Sequence, residues 1–174
     1  EQFVTDTASE LHKDYQRFIK QQADWLDDYA LFMALREANN NLIWTEWDTP
    51  LRKRHKAAIT RAQTEHATQI AYHCFCQFVF FQQWQELRDY ANQKNILIFG
   101  DLPIYVSLDS ADVWASPKLF SLDKDCQPKY IAGVPPDYFS ETGQRWGNPQ
   151  YNWSALEKED FAWWQARFKT QLAL

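Results

Sequence analysis

The sequence predicts an α/β chain that is mostly helical, with one clear buried strand and a long irregular segment. Three observations carry that prediction. Apolar residues recur at three- and four-residue steps through residues 9–39 and again from Pro50 onward. The second stretch leads into "ILIF" at residues 96–99, a short continuous apolar run of the kind that forms a strand covered on both faces. Beyond Val106 periodicity stops, in a stretch far longer than the roughly 12–15 residues that structureless loops usually reach.

The first helix carries Phe18, Trp25, Tyr29, Phe32, Met33 and Arg36 on its recurring positions, with charges between them. It is expected to run from Ser9 to about Asn39 and to stop in "ANNN", because Asn tolerates the left-handed cap. Thr49 before Pro50 fits an N-cap followed by the first helical position. The second helix should then continue from Pro50 with few breaks, bending near Thr64. In its later half Ile70, Cys74, Phe78, Phe81 and Trp84 or Gln85 share one face, which Leu87 or Arg88 extends. Lys94 and Asn95 separate it from the apolar run, and Gly100 closes that run. Asp101 therefore stands at the C-terminal end of the expected strand, where functional side chains emerge in barrels and open sheets. A turn or capping role for Asp101 fits its position equally well.

In "DSADVWASPKLF" Asp109 and then Ser116 with Pro117 mark the starts of two short helical turns. "SLDKDCQPKYIAGV" has the makings of a small hairpin or surface turn. "AGVPPDYFSETGQRWGNP" follows, holding three of the four glycines and three of the seven prolines, so it is expected to form neither helix nor strand. Order returns at "WSALEKEDFAWWQARF", where Ser154 and Glu157 fit a capping box and Phe161, Trp164 and Phe168 form a stripe.

Composition narrows the function classes. At 174 residues, 45% hydrophobic and 24% charged, the chain is long enough and apolar enough for a real core. The net charge is −5, and the one basic cluster, "RKRHK" at residues 52–56, reads as a solvated helix face, so a nucleic-acid partner is not expected. Phosphate-binding glycine patterns and the G-x-S-x-G elbow are missing from the sequence. The odd count of three cysteines, Cys74, Cys76 and Cys126, reads as thiols in a reducing compartment. His66 and His73 lie two turns apart on the second helix, yet no third ligand is spaced to join them, so no metal is expected. No membrane span or signal segment is visible, and the expected location is cytoplasmic. Glu1 opens the chain inside a helical pattern and "KTQLAL" ends it in another, which suggests a piece of a longer protein.

The aromatic share of 17%, with nine Trp, fits either a core of large residues or a surface for flat apolar ligand faces such as sugars. The loop bears on that choice. Pro135 and Pro136 stiffen it and remove two N–H donors, Asp137 favours a turn, and Gly143 and Gly147 permit tight bends. Such a backbone displays Tyr138, Phe139 and Trp146 with little ordering left to lose on binding. The alternative is that the three rings fold beneath the loop as a small core.

The segments "GDLPIYVSLDSADVWASP" and "AGVPPDYFSETGQRWGNPQYNW" closely resemble the 4-α-glucanotransferases of glycoside hydrolase family 77, known as amylomaltases or disproportionating enzymes. "WLDDYALFMALRE", "WTEW" and "FVFFQQWQELRDYANQKNI" resemble the same family, so the likeness covers nearly the whole chain. It implies a fragment of a (β/α)₈ TIM barrel of the α-amylase type with a helical insertion. Residues 1–94 would be the insertion and barrel-helix region, and residues 95–174 the barrel strand, active-site loop and following helix. The implied reaction is transfer of 1,4-α-glucan segments between maltodextrins by retaining double displacement, with no cofactor. Two carboxyl groups about 5–5.5 Å apart serve such a mechanism, one as nucleophile and one as acid and base. By resemblance Tyr138 and Phe139 match a sugar-contacting aromatic pair, Trp146 a further ring near substrate, and Asp101 an acidic residue that supports the site. Asn148 is carried over as a further substrate-binding candidate.

The family's catalytic carboxylates match positions beyond Leu174, so no catalytic residue is expected within this chain. Cys126 stands where the family commonly has a turn glycine. The expected partners are a maltodextrin or other 1,4-α-glucan and, through the faces of the helices beside residues 96–99, a second copy of the chain. Two other readings stand beside the enzyme part: a non-catalytic glucan-binding module, and a structural helical domain whose aromatics are all core.

Overall fold

A computed structural model describes residues 10–173. The expected helix start at Ser9 and the readings of both chain ends, Glu1 and Leu174, lie outside the described residues. In chain order the helices are α1 (Glu10–Ala38), α2 (Thr49–Arg52), α3 (Lys56–Glu65), α4 (Ala67–Gln93), α5 (Ala111–Ala115), α6 (Trp153–Lys158) and α7 (Ala162–Ala173). Single 3-10 turns lie at Trp44–Glu46 and Pro117–Leu119, and the strands are β1 (Ile131–Val134) and β2 (Gln144–Pro149). Packing divides the chain into two units. Of the described residues, one unit holds 10–40 together with Lys56–Phe99, and the other holds Asn41–His55 together with 100–173.

The first unit is built on α1 against α4. Tyr15, Phe18, Leu26, Ala30, Cys74 and Phe78 are buried between them, with Ile19, Trp25, Ile70 and Phe81 packed around. Phe18, Trp25, Ile70, Cys74, Phe78 and Phe81 are positions the helical spacing selects, whereas Tyr15, Leu26 and Ala30 are not among them. Tyr15 meets Phe78 edge-on at 5.4 Å and Phe18 meets Phe81 tilted at 5.2 Å, while Trp25 stacks on Phe81 at 6.0 Å. Each large side chain so buried contributes roughly 1.5–3 kcal/mol. The buried face of α4 does not extend to Leu87, which is exposed, and Trp84 stacks on Phe80 instead. His73 is buried, with Nε2 3.1 Å from Glu37 Oε1 near the end of α1.

Helix boundaries follow backbone chemistry more than side-chain period. Helix α1 stops at Asn40 and Asn41, whose φ values of 55° and 60° are left-handed, as the Asn run predicts. The expected continuous helix from Pro50 is instead three helices. Asp48, not Thr49, is the N-cap of α2, its carboxylate accepting the Leu51 N–H. That helix then closes after Arg52, with Arg54 left-handed at φ 52°. The His55 N–H donates to the Pro50 carbonyl and the Arg54 N–H to that of Leu51, a Schellman ending. The expected bend near Thr64 is a break at His66, the N-cap residue of α4.

The second unit is assembled on indoles. Trp44 and Trp114 are fully buried, and each donates its N–H to a carbonyl, Trp44 to Leu108 at 2.6 Å and Trp114 to Leu51 at 3.1 Å. Trp47 packs edge-on against Trp114, and the Arg54 guanidinium lies 4.1 Å over the same ring. Ser110, rather than Asp109, caps α5, while the Asp109 carboxylate accepts the Trp44 backbone N–H at 3.3 Å. Ser116 and Pro117 start the second short turn as expected. Asn152, rather than Ser154, caps α6 by accepting the Ala155 N–H, so the capping box does not form. The single helix expected there is split, because Asp160 and Phe161 are both left-handed and close α6 with a second Schellman ending.

Two expectations about strands are corrected. Residues 96–99 form no strand among the described residues, since a ladder needs a paired neighbour and none is there; Phe99 is 99% exposed. The turn-rich stretch from Ala132 to Pro149, in contrast, is a β-hairpin. Strands β1 and β2 pair antiparallel, Ile131 with Pro149, Gly133 with Arg145 and Val134 with Gln144, with a bulge between Ile131 and Gly133. Gly133 is required by close approach, because a Cβ there would lie 2.5 Å from the Gln144 carbonyl oxygen. The preceding "SLDKDCQPKYIAGV" makes the expected small turn, with Leu122 bridged to Pro128 and Cys126 left-handed at φ 64°.

Candidate functional site

The site grows from the tip of the β1–β2 hairpin. Pro135 and Pro136 leave β1, and the chain reverses across Asp137, Tyr138, Phe139 and Ser140. The Asp137 N–H donates to the Ser140 carbonyl at 2.9 Å, and the Ser140 N–H returns to the Asp137 carbonyl at 3.3 Å. The Asp137 carboxylate also accepts two amides through one oxygen, Phe139 N–H at 2.9 Å and Ser140 N–H at 2.8 Å. Asp is favoured at the first position of a β-turn for this reason. The Ser140 hydroxyl then donates to the Gly143 carbonyl at 2.8 Å, which seals the neck of the tip.

Tyr138 and Phe139 occupy the two central turn positions, where the backbone bends away from them. They are 97% and 89% exposed, with ring centroids 5.6 Å apart and planes at 88°. The rings do not fold beneath the loop.

Trp146 sits lower on the hairpin, on β2, and is held differently. Its indole N–H donates to the Gln144 amide oxygen at 2.9 Å, from the same face of the strand two residues earlier. Its ring meets Tyr105 edge-on at 6.3 Å. Tyr105 in turn stacks on buried Tyr151 at 6.1 Å, and Tyr151 touches Phe120, Trp163 and Trp164. The Tyr151 hydroxyl donates to the Ile104 carbonyl at 2.8 Å, and burial pushes its pKa up to about 12. Trp146, 47% exposed, is thus the outer ring of an aromatic stack rooted in the core of the second unit.

The remaining candidates are spread more widely. The Asn148 side-chain amide donates to the Val106 carbonyl at 2.9 Å, so its nitrogen ties β2 to the segment carrying Tyr105. Asp101 is exposed and takes no part in the ring contacts. Among the described residues no cluster of three or more His, Cys, Asp or Glu is arranged to hold a metal ion, and no helix is long and apolar enough to cross a membrane. Sequence reasoning missed Tyr105, Gln144 and the carboxylate role of Asp137. Only Asp137 left a signal, as an Asp following two prolines. Tyr105 reaches Trp146 from far along the chain, and no spacing announces that.

A family model described as 4-alpha-glucanotransferase, of glycoside hydrolase family 77, matches residues 1–174. The chain belongs to this family. A 4-alpha-glucanotransferase of Synechocystis is 50% identical over 172 residues, covering 98% of this chain and 34% of the relative. One of Thermus thermophilus is 48% identical, covering 99% of this chain and 34% of its own length. The structure of an amylomaltase from Streptococcus agalactiae in complex with acarbose superposes with a TM-score of 0.86 at 44% identity, over 93% of this chain and 33% of that one. The chain therefore spans about a third of the length of these 4-alpha-glucanotransferases.

Proposed function

We propose that this chain is the substrate-gripping portion of a 4-α-glucanotransferase. The observation that carries the reading is the exposure of Tyr138 and Phe139 on a hydrogen-bonded turn tip, with the anchored Trp146 below them on the same hairpin. A 1,4-α-glucan offers apolar sugar faces for such rings and hydroxyls for nearby polar groups. Rings left in water by the fold itself weigh against a purely structural domain, because exposing them carries a hydrophobic cost with no gain in packing.

In the proposed reaction a glucan segment passes from one chain to the 4-hydroxyl of another through a covalent glycosyl-enzyme. The nucleophile and the acid/base carboxylate belong to parts of the family's barrel that this stretch does not include. The contribution of this chain is to hold the acceptor and keep water from the reacting centre, which is what separates a transferase from a hydrolase. Asp101 and Asn148 support this surface, Asn148 through the Val106 tie. The parent fold is a (β/α)₈ barrel in which residues 96–99 pair with neighbouring strands, and 1–94 and 95–174 are its successive portions. A cytoplasmic location and independence from cofactors belong to the same reading.

The test is incubation of the chain with pure maltotriose, followed by chromatography for glucose and longer maltodextrins, beside a binding titration with maltoheptaose. Binding without turnover is the expected result. Turnover would mean that the chain carries its own nucleophile, and Asp101, Asp109, Asp112 and Glu141 would be the carboxylates to substitute. Absence of maltoheptaose binding would overturn the reading of the rings.

A further inference from the structure

We infer that Asp137 is a positioning residue for glucan binding, acting by holding the Tyr138 and Phe139 rings in their binding geometry before substrate arrives; this rests on the proposed role of those rings. The rings have almost no packing of their own, since both are close to fully exposed and touch chiefly each other. Their direction is therefore set by the backbone of the four-residue turn alone. Two reciprocal main-chain bonds across Asp137 and Ser140 close that turn, and one of them is long at 3.3 Å. The Asp137 carboxylate supplies what the main chain lacks. One oxygen accepts from both Phe139 N–H and Ser140 N–H at 2.9 and 2.8 Å, which fixes the peptide planes on either side of Phe139. The Ser140 hydroxyl extends the clamp to Gly143.

The physical consequence is entropic. A tip without the clamp samples many ring directions and must be ordered when a glucan binds, whereas the clamped tip has already lost that freedom. Asp137 contacts backbone rather than ligand in this account, so its charge is dispensable and its acceptor oxygen is not. Asparagine keeps the oxygen and favours the same turn.

Three versions of the chain decide the matter: wild type, Asp137→Ala and Asp137→Asn. Backbone ¹⁵N order parameters through residues 137–143 are measured without ligand, and affinity is measured by calorimetric titration with maltoheptaose. Expected are lowered tip order and about three- to tenfold weaker binding for Asp137→Ala, with Asp137→Asn close to wild type in both. All three should unfold at the same temperature, because the clamp lies outside the β1–β2 pairing. Wild-type order and affinity in Asp137→Ala would overturn the inference. So would Asp137→Asn binding as weakly as Asp137→Ala, since the carboxylate charge would then be touching the glucan. If wild type does not bind maltoheptaose, the proposed function falls, and the order parameters still decide whether Asp137 sets the tip.

Discussion

Gly143 and Gly147 both have left-handed backbone, with φ of 74° and 83°, yet the structure uses them differently. A Cβ at Gly143 would lie 2.5 Å from the Val134 carbonyl oxygen and 2.9 Å from the Pro135 carbonyl carbon, so the neck of the hairpin closes only over a hydrogen. A Cβ at Gly147 would meet nothing within 4 Å. Gly147→Ala should therefore cost only the backbone term, about 1–2 kcal/mol. Gly143→Ala should cost roughly 2–5 kcal/mol, because steric overlap adds about 1–3 kcal/mol. Urea unfolding of the two variants compares them, and equal losses would refute the close approach. That both sites need glycine was legible from the turn-rich stretch. Which one faces a carbonyl was not, because the Val134 oxygen arrives from the opposite strand. Cys126 shows the converse, a residue with a side chain held at φ 64° in a turn.

At the scale of elements, three helices end in the same way. Arg54, Asn95 and Asp160 are each left-handed at the residue after the cap, and the next N–H in each case donates back to the third-last helical carbonyl. Only Asn95 is a residue whose type announces this, which is why a single long helix was expected across Arg54 and across Asp160. Elements also carry a pH dependence. Burial between α1 and α4, with Cys74 nearby, pushes Tyr15 up to about 12, and burial does the same to Tyr151 beneath the hairpin. A phenol whose folded pKa lies above the unfolded value of 10 holds its proton more tightly when folded. Its stabilising effect is complete below pH about 10 and is lost as pH rises toward 12. Stability should thus be flat on this account up to pH about 10 and fall above it. Phenolate absorbance should show Tyr15 and Tyr151 ionising late, with Tyr29 and Tyr72 also shifted upward, together with loss of helical signal. Simultaneous ionisation of all eight tyrosines near pH 10, in a folded chain, would contradict the burial argument.

At the scale of the whole molecule, each unit leaves apolar surface uncovered. In the first, Leu97 is 86% and Phe99 99% exposed, and Tyr72, Phe80, Leu87 and Tyr90 are exposed on α4. In the second, Phe168 and Leu172 are exposed on α7. Exposed apolar side chains of this kind favour association in water. Light scattering of the isolated chain should show dimers or larger species at high concentration, and Leu97→Asp with Phe99→Asp should lower the associated fraction. A strictly monomeric wild type at high concentration would refute self-association through this surface.

The sequence by itself determined much of the helical faces, the left-handed stop of α1, the placement of Tyr138 and Phe139 on a proline-stiffened turn, and the family. These are local properties: period, backbone freedom and turn chemistry act between residues a few positions apart, and long motifs carry the family. Tertiary structure alone decided that the turn-rich stretch is a hairpin, that Tyr138 and Phe139 stand in solvent while Trp146 is rooted through Tyr105 to Tyr151, and that residues 96–99 remain unpaired. Each of those depends on which backbone or ring arrives from a distant part of the chain. A strand exists only where a second strand supplies its hydrogen bonds, and an aromatic ring is core or surface according to what packs upon it.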